Sequence, residues 1–342
     1  MLTLRGEEAY ANLKDGIRSK TFRYPTKEEA RYTGQHLRPT IKSSFRLNPG
    51  ETVFTIGSCF ARAIEPRFAS LGFDVPVASF TVPQSEFPWP APHLLNEYNA
   101  GTIFQRIDSV YGSFSYSDSA GIERSADGYL DLFLHINQRP INMDRLLRRR
   151  KEIFDLYNSI KRSSALIITL GLTECWFDEE SRCYLNKAPS RSSVVNQPGR
   201  FLFHRMDYND VVMRLCQSID LMNSFGKKKI LLTVSPVPVE ATFTLQDAII
   251  ANYQSKSTLR AAAQTIYERF DNVEYFPSYE IAASGGCGSF AGDNVHVTQE
   301  TVDLIMSVLS QSFIDIRSAD AVGNYYPNYI DEEAEDRLGS DL

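Results

Sequence analysis

Four short runs of apolar residues, separated by segments with helical spacing, constrain the fold of this chain more than any other feature. Each run is rich in β-branched or aromatic side chains and ends at or near Gly or Pro, as strands buried on both faces do. The runs are residues 52–56, 165–170, 229–234 and 273–276. Helical spacing is present over residues 61–71, 142–161, 208–225, 252–270 and 298–314. This alternation predicts an α/β fold in which a mainly parallel sheet is covered by helices on both faces.

The remaining segments are less regular, and we interpret them as additions to that sheet. Residues 75–77 are a candidate for one more short strand. A structureless loop over 78–140 would be unusual in a compact domain, so we expect short helices and a small hairpin there. The polar, turn-rich residues 177–205 are interpreted as a second insertion between strands. The predicted organisation is an N-terminal arm (1–49), one domain (50–316) with insertions at about 78–140 and 177–205, and an acidic C-terminal tail (317–342).

The composition excludes several classes of protein. The chain has 342 residues, of which 43% are hydrophobic, and a net charge of −6. Nucleic-acid binding is not expected, because the net charge is negative and the chain lacks the overall excess of Lys and Arg that attracts phosphates. No apolar run approaches the roughly 20 residues of a membrane span, and the first residues lack the apolar stretch of a signal peptide. We therefore expect a cytoplasmic protein, and its oligomeric state is left open.

The cysteines do not indicate a structural cross-link or a metal site. There are five, an odd number, at positions 59, 175, 183, 216 and 287, and no pair has Cys-x-x-Cys spacing. A disulfide scaffold is not expected in a chain of this size and composition. Cys175 and Cys183 lie near each other in sequence, but no nearby His or Cys completes a set of four zinc ligands.

Polar residues follow three of the predicted strands directly. Gly57, Ser58 and Cys59 follow the first run, residues 171–174 follow the second, and Ser235 follows the third. Parallel sheets place their sites at the carboxyl ends of the strands, so we expect these segments to converge on one crevice.

Ser58 and Cys59 are candidate nucleophiles because they lie at a predicted strand-to-helix turn. The unpaired backbone N–H groups at a helix start attract negative charge, and this position lowers the pKa of a thiol and exposes a nucleophile. An equally simple interpretation of the turn by itself is a small residue that caps the helix.

A nucleophile needs a base, and His296 is the candidate. It lies just before the last predicted helix, and Asp293 precedes it by three residues, close enough in a tight loop to orient the imidazole. The alternative is an Asx-turn that leads into the helix, with a histidine at the surface.

Several long motifs in the same order resemble the GSCFA family, which is itself similar to the SGNH, or GDSL-type, hydrolases. The first motif, Gly57 to Ala61, spells the family name, and the resemblance extends over residues 50–315. The other matching segments are residues 169–176, 233–238, 255–260, 275–280 and 293–296.

The resemblance implies a three-layer α/β/α sandwich and acyl-ester chemistry without a metal or organic cofactor. It makes His296 the base and Asp293 the residue that orients it. Thr173 falls where these enzymes carry an Asn that binds the oxyanion, and its shorter side chain is a departure from the pattern. The other candidates for oxyanion or substrate binding are Asn99 and Gly101, as a possible second block, and Glu174, which could instead pair with Arg or Lys at the crevice rim. Lys256 is expected either to bind a substrate anion or to lie at a helix-start surface.

The nucleophile itself is where the sequence departs most from the wider group. When Gly57, Ser58 and Cys59 are aligned with the Gly-Asp-Ser motif, Cys59 takes the nucleophile position and Ser58 lies one residue before it. A thiol there would form a thioester, which favours acyl transfer to a hydroxyl or amine. A third possibility is that neither residue reacts.

We therefore predict an acyl-ester hydrolase or O-acyltransferase that acts on a carbohydrate or other small polar ester. The alternative is a non-catalytic module that binds a glycan or a nucleotide-sugar in the same crevice. Phosphoester chemistry is disfavoured, because neither a metal cluster nor a Gly-rich phosphate loop is visible.

Overall fold

The computed structural model describes residues 3–315 except residues 20 and 113. Its strands are β1 (Val53–Gly57), β2 (Ile122–Ser125), β3 (Gly128–Asp131), β4 (Ala165–Leu170), β5 (Glu174–Asp178), β6 (Cys183–Leu185), β7 (Phe201–Arg205), β8 (Lys229–Val234) and β9 (Val273–Phe276). Its α-helices are α1 (Gly6–Ser19), α2 (Cys59–Ser70), α3 (Ala100–Tyr111), α4 (Met143–Tyr157), α5 (Arg191–Asn196), α6 (Tyr208–Asn223), α7 (Ala248–Arg269), α8 (Ser278–Ser284) and α9 (Gln299–Phe313).

The four predicted strands form the central sheet. They are β1, β4, β8 and β9, hydrogen-bonded in that order, and every pair is parallel. Phe54 in β1 lies opposite Leu166 in β4, which in turn lies opposite Ile230 in β8. All three are fully buried. The prediction of a mainly parallel sheet is confirmed.

Helices cover both faces of this sheet, because successive side chains of a strand point to opposite sides. Phe54 and Leu166 belong to one apolar cluster, to which α3, α4, α6 and α7 contribute. Their neighbours Val53 and Ile167 belong to a second cluster on the opposite face, with residues of α2, α8 and α9. The molecule is therefore the three-layer α/β/α sandwich that was predicted.

Residues 75–77 do not form a strand. A 3₁₀ helix spans Pro76–Ser79, and sheet pairing is limited to one bridge between Thr52 and Asp74. Pro76 explains the difference: it cannot donate to a ladder, and its fixed φ suits the first turn of a helix.

The two expected insertions pack on each other. Residues 78–140 contain α3 and the hairpin of β2 and β3, as expected, and residues 174–205 contain a three-stranded antiparallel sheet of order β6–β5–β7 that was not. Gln105 of α3 joins them: its amide donates to the Tyr184 carbonyl at 3.0 Å and its oxygen accepts from the Tyr184 N–H at 2.5 Å.

The N-terminal segment has two parts. The helix α1 is mostly exposed, whereas the chain around Leu47 packs on the main body. The Leu47 N–H donates to the Phe313 carbonyl at 2.7 Å, and His36 contacts the Ser289 hydroxyl at 2.8 Å. The boundaries proposed at residues 49 and 316 stay a prediction, and the acidic tail from 317 lies outside the described residues. Within the described ranges, none of the helices combines the length and the apolar character needed to cross a membrane.

Candidate active site

The turn after β1 brings the chain directly against β4. Gly57 has a φ of 141°, and a Cβ atom there would lie 2.1 Å from the Thr169 carbonyl oxygen. The next N–H, that of Ser58, donates to this carbonyl at 3.1 Å. The Gly57 carbonyl accepts from the Glu97 N–H at 2.8 Å. A side chain at position 57 would break this arrangement, so the glycine is required by both conformation and space.

The ends of β4 and β8 meet the same turn. A Cβ atom on Gly171 would lie 3.2 Å from the Ser58 Cβ and 2.9 Å from the Tyr98 carbonyl oxygen. The Ser235 N–H, just after β8, donates to the Leu170 carbonyl at 2.8 Å. The three segments expected to converge at the carboxyl ends of the strands do converge there.

Ser58 and Cys59 differ in access to solvent. Ser58 is the N-cap residue of α2, but its side chain makes no capping hydrogen bond. Its hydroxyl is buried and has no hydrogen-bond partner among the described residues. Cys59, the first residue of α2, is partly exposed. Capping by the Ser58 side chain, the simpler interpretation of this turn, is therefore not what the structure contains.

His296 and Asp293 are in contact. The Nδ1 atom of His296 forms a hydrogen bond with Asp293 Oδ2. The other carboxylate oxygen accepts from the N–H groups of Val295 at 2.9 Å and His296 at 3.0 Å. Burial acts to raise the pKa of Asp293, but the hydrogen bonds from His296 and from these backbone groups outweigh it, so its pKa is lowered. Asp293 thus forms the Asx-type turn and holds the imidazole at the same time.

The loop that carries His296 packs on the same side of the sheet as α2. Phe290 and Val297 pair across its ends, and Val297 packs on the apolar cluster that contains Phe60, the neighbour of Cys59. The helices α2 and α9, which follow the two candidate segments, also pack on each other. Residues that flank Cys59 and His296 therefore share one packing unit.

Thr173 and Glu174 follow β4 at the crevice. Thr173 is buried; its N–H donates to the Ser255 hydroxyl at 3.0 Å and its carbonyl accepts from the Met206 N–H at 2.9 Å. The Glu174 carboxylate accepts from the Thr242 hydroxyl at 2.6 Å and the Phe243 N–H at 3.3 Å. Glu174 therefore anchors the loop after β8, and the Arg or Lys partner considered for it is absent from the part of the chain that the structure describes.

Asn99 and Gly101 take part in the packing of α3 against β6. Asn99 caps α3: its side-chain oxygen accepts from the Thr102 N–H at 2.9 Å, and its amide nitrogen lies 3.5 Å from the Leu185 carbonyl. Gly101 allows the Tyr184 ring to approach, since a Cβ atom would lie 2.5 Å from it. A role for either residue in oxyanion binding stays a prediction.

Lys256 does not lie at a helix-start surface, and a role in binding a substrate anion stays a prediction. It is well inside α7 rather than at its start, and it is fully buried. Its Nζ donates to the Gly171 carbonyl at 2.9 Å and to the Val237 carbonyl at 2.5 Å. Burial lowers the pKa of Lys256 to about 7, and the negative charge of a Cys59 thiolate opposes this shift. The signal in the sequence was its spacing: Lys256 lies three residues before Leu259 on the buried face of the helix.

Asn96 lies near the turn, although none of the motifs indicated it. It is fully buried beside Glu97, whose N–H binds the Gly57 carbonyl. Its amide nitrogen donates to the Tyr98 hydroxyl at 3.1 Å, while its side-chain oxygen is buried without a hydrogen-bond partner among the described residues.

Both a family model and several solved structures match most of this chain. The sequence profile of the GSCFA family matches residues 52–309. No curated protein is similar enough in sequence to count as a match. Similar solved structures include a carbohydrate esterase family 3 protein from Talaromyces cellulolyticus, with 10% identity and a TM-score of 0.36 over 76% of this chain and 95% of that one. A catalytic mutant of the acetylxylan esterase Axe2 from Geobacillus stearothermophilus has 12% identity and a TM-score of 0.32 over 78% of this chain and 96% of that one.

Proposed function

This chain belongs to the GSCFA family, and from that premise we propose that it is an acyl-ester hydrolase or O-acyltransferase. Its nucleophile is Cys59, its base is His296, and its substrate is a carbohydrate ester or another small polar ester. The observation that carries the proposal is the hydrogen bond between Asp293 and the His296 ring, because a carboxylate on one imidazole nitrogen prepares the other to move a proton.

Access to the two candidate side chains favours Cys59 as the nucleophile. A nucleophile must reach a carbonyl carbon, whereas the Ser58 hydroxyl is buried and its Cβ atom packs against Gly171. The Cys59 side chain is partly exposed and begins a helix, where the dipole and the N–H groups of the first turn favour a thiolate.

The proposed reaction has two stages, in which an acyl group is first transferred to Cys59 and then removed from it. His296 takes the thiol proton, and the sulfur attacks the ester carbonyl to give a tetrahedral intermediate. Its collapse releases the alcohol, which receives the proton from His296, and leaves an acyl group on Cys59 as a thioester. Water or an acceptor hydroxyl then attacks the thioester. His296 takes the proton of the attacking group and returns it to the Cys59 sulfur as the acyl group leaves.

N–H groups in the first turn of α2 are the proposed donors to the oxyanion. The Ser58 N–H is not among them, because it already donates to Thr169, and the Thr173 N–H donates to Ser255. The Ala61 N–H donates to the Ser58 carbonyl at 2.9 Å. The donors proposed are therefore the N–H groups of Cys59 and Phe60, together with the Thr173 hydroxyl. Each oxyanion donor contributes about 3–4 kcal/mol in enzymes where one has been removed.

An exposed aromatic surface at the rim supports a sugar or small acyl substrate. Phe243, on the loop that Glu174 anchors, is exposed and packs edge-on against Trp176 with ring centroids 5.1 Å apart. Aromatic rings in such positions provide flat apolar contact to a ligand whose polar groups are bound elsewhere.

The test compares two adjacent substitutions in the full chain. Release of acid and alcohol is measured over a panel of acetylated sugars and simple aryl esters, with and without added acceptor alcohols. We expect Cys59→Ala to lower turnover by about a thousandfold and Ser58→Ala, its matched control, to leave turnover nearly unchanged. Full activity in Cys59→Ala would overturn the assignment of the nucleophile. Binding of glycans without turnover of any ester would favour the non-catalytic module instead.

A further inference from the structure

Lys256 is a buried cation that the proposed reaction does not use. Its ammonium touches the carbonyls of Gly171 and Val237, which follow β4 and β8 at the crevice. Gly171 in turn packs against Ser58. The charge therefore lies directly behind the turn that carries the proposed nucleophile.

The contacts of Lys256 leave its charge without a carboxylate. Both hydrogen-bond acceptors are neutral carbonyl oxygens, and among the described residues no Asp or Glu forms an ion pair with it. A buried ammonium is retained when an anion lies near it and otherwise tends to lose its proton. This tendency is the cause of the lowered pKa of Lys256.

A negative charge can come from Cys59, because Lys256 binds the Gly171 carbonyl and Gly171 packs against Ser58, the residue before Cys59. Of the elements packed around the ammonium, the segments after β4 and β8 face it with carbonyl oxygens, and its neighbour on α7, Ser255, is uncharged. The titratable group whose charge acts on it is the Cys59 thiol at the start of α2. An ammonium has three N–H donors, and the two carbonyls use two of them.

We propose that Lys256 is a positioning residue that stabilises the Cys59 thiolate and so prepares the sulfur for attack. This inference rests on the proposed role of Cys59 as nucleophile. When His296 takes the thiol proton, the negative charge on sulfur faces the Lys256 ammonium, and no further proton has to move. The same ammonium joins the loops after β4 and β8, so the charge is fixed in place before substrate binds.

The test follows the reactivity of the sulfur, because a purely structural role would leave its pH profile unchanged. Alkylation of Cys59 by iodoacetamide is measured by mass spectrometry from pH 5 to 10 in the full chain and in Lys256→Met. We expect the midpoint of the alkylation profile to rise by about one pH unit or more in Lys256→Met, and the rate of alkylation at pH 7 to fall about tenfold. Lys256→Arg should recover part of the loss. The exposed Cys287 in the same sample is the internal control.

A second measurement covers the case in which Lys256→Met does not fold. The ¹³Cε resonance of Lys256 is titrated in the unsubstituted chain and in Cys59→Ala. Because the thiolate raises the pKa of Lys256, the titration midpoint should fall when the thiol is removed. Equal midpoints, or an unshifted alkylation profile in a folded Lys256→Met, would overturn the inference.

These outcomes separate the inference from the proposed function. If no ester is turned over but the alkylation midpoint depends on Lys256, the role of Lys256 beside the Cys59 thiolate is supported and the proposed reaction is contradicted. If turnover requires Cys59 while the alkylation profile is unchanged in Lys256→Met, the proposed function is supported and the proposed role of Lys256 is contradicted.

Discussion

The two halves of the proposed site are built in different ways. The turn after β1 depends on distant parts of the chain, since Gly57 accepts from Glu97 and Ser58 donates to Thr169. The loop over residues 290–297 is held mostly by its own residues. Asp293 accepts from N–H groups two and three residues later, and the Ala291 N–H donates to the His296 carbonyl at 2.7 Å.

Because of this difference, we expect mutations in one half to lower the stability of the fold and mutations in the other half to lower the rate of turnover. A change in the turn disturbs the contact between β1 and β4, which is part of the central sheet. A change in the loop removes contacts that are local and partly exposed, the side chains of His296 and Asp293 being 23% and 28% accessible. We therefore expect substitution of Gly57, whose backbone contacts β4, to affect folding, and substitutions in the loop to affect turnover.

The largest expected effect is that of His296→Ala on turnover. Loss of the base should lower kcat/KM by about a thousandfold or more, on the order of 4 kcal/mol. The free energy of unfolding should change by less than about 1 kcal/mol, because the ring is partly exposed and its partner is local. Ester release and thermal denaturation are measured on the same samples.

His204→Ala is the matched control for that variant. His204 lies in β7, stacked on Phe177 with ring centroids 5.4 Å apart, and should be unimportant for turnover. If His296→Ala unfolded the chain, the loop would be structural and the contrast between the two halves would fail.

The next largest effect is that of Gly57→Ala on stability. Its Cβ atom would overlap the Thr169 carbonyl, and its φ is unfavourable for alanine, so we expect a loss of about 3 kcal/mol or more. Gly226→Ala is the control, because Gly226 has a similar φ of 127° but nothing within 4 Å of the added atom. It should cost only about 1 kcal/mol. Chemical denaturation measures both, and equal losses would show that backbone conformation rather than the contact with β4 determines the cost.

A smaller effect is expected for Asn99→Ala. Loss of the cap of α3 should cost about 1 kcal/mol in the free energy of unfolding. Turnover should fall little if the side chain serves only the packing of α3. A loss of turnover near a hundredfold in a folded variant would instead place Asn99 with the oxyanion donors, as the resemblance to SGNH enzymes implied.

The smallest expected effect is the contribution of the Asp293 carboxylate to stability, which depends on pH. Its pKa is lowered in the folded chain, so its contribution to stability is complete above its unfolded pKa and is lost as the pH falls through the lower folded value. Because the Asp293 side chain is partly exposed, solvent screens its charge and the contribution is less than about 1 kcal/mol. The melting temperature of Asp293→Asn should lie slightly below that of the parent at pH 7, and the difference should disappear once the pH falls below the folded pKa of Asp293. A constant difference across this range would show that the charge is not its source.

The fold was largely predictable because its signals are local. The strands β4, β8 and β9 lie where the uninterrupted apolar runs predicted them, and β1 is shifted by one residue. The antiparallel sheet of β5 to β7 was missed, because its strands are short and lie among polar residues that pair only in three dimensions. The start of α9 is also set locally, because the Thr298 side chain accepts from the Thr301 N–H three residues later.

The sequence by itself determined the layered fold, the crevice at the strand ends and the residue types available there, because these follow from periodicity and from the order of the motifs. It favoured Cys59 over Ser58 as the nucleophile, on the position of Cys59 in the first motif, but left both as candidates. Tertiary structure separated them: Gly171 from a distant strand end buries Ser58, and the start of α2 leaves Cys59 accessible. Tertiary structure also decided the environment of Lys256, because the burial of a charge depends on which strand ends lie over the helix. Neither decision could be made within a stretch of neighbouring residues.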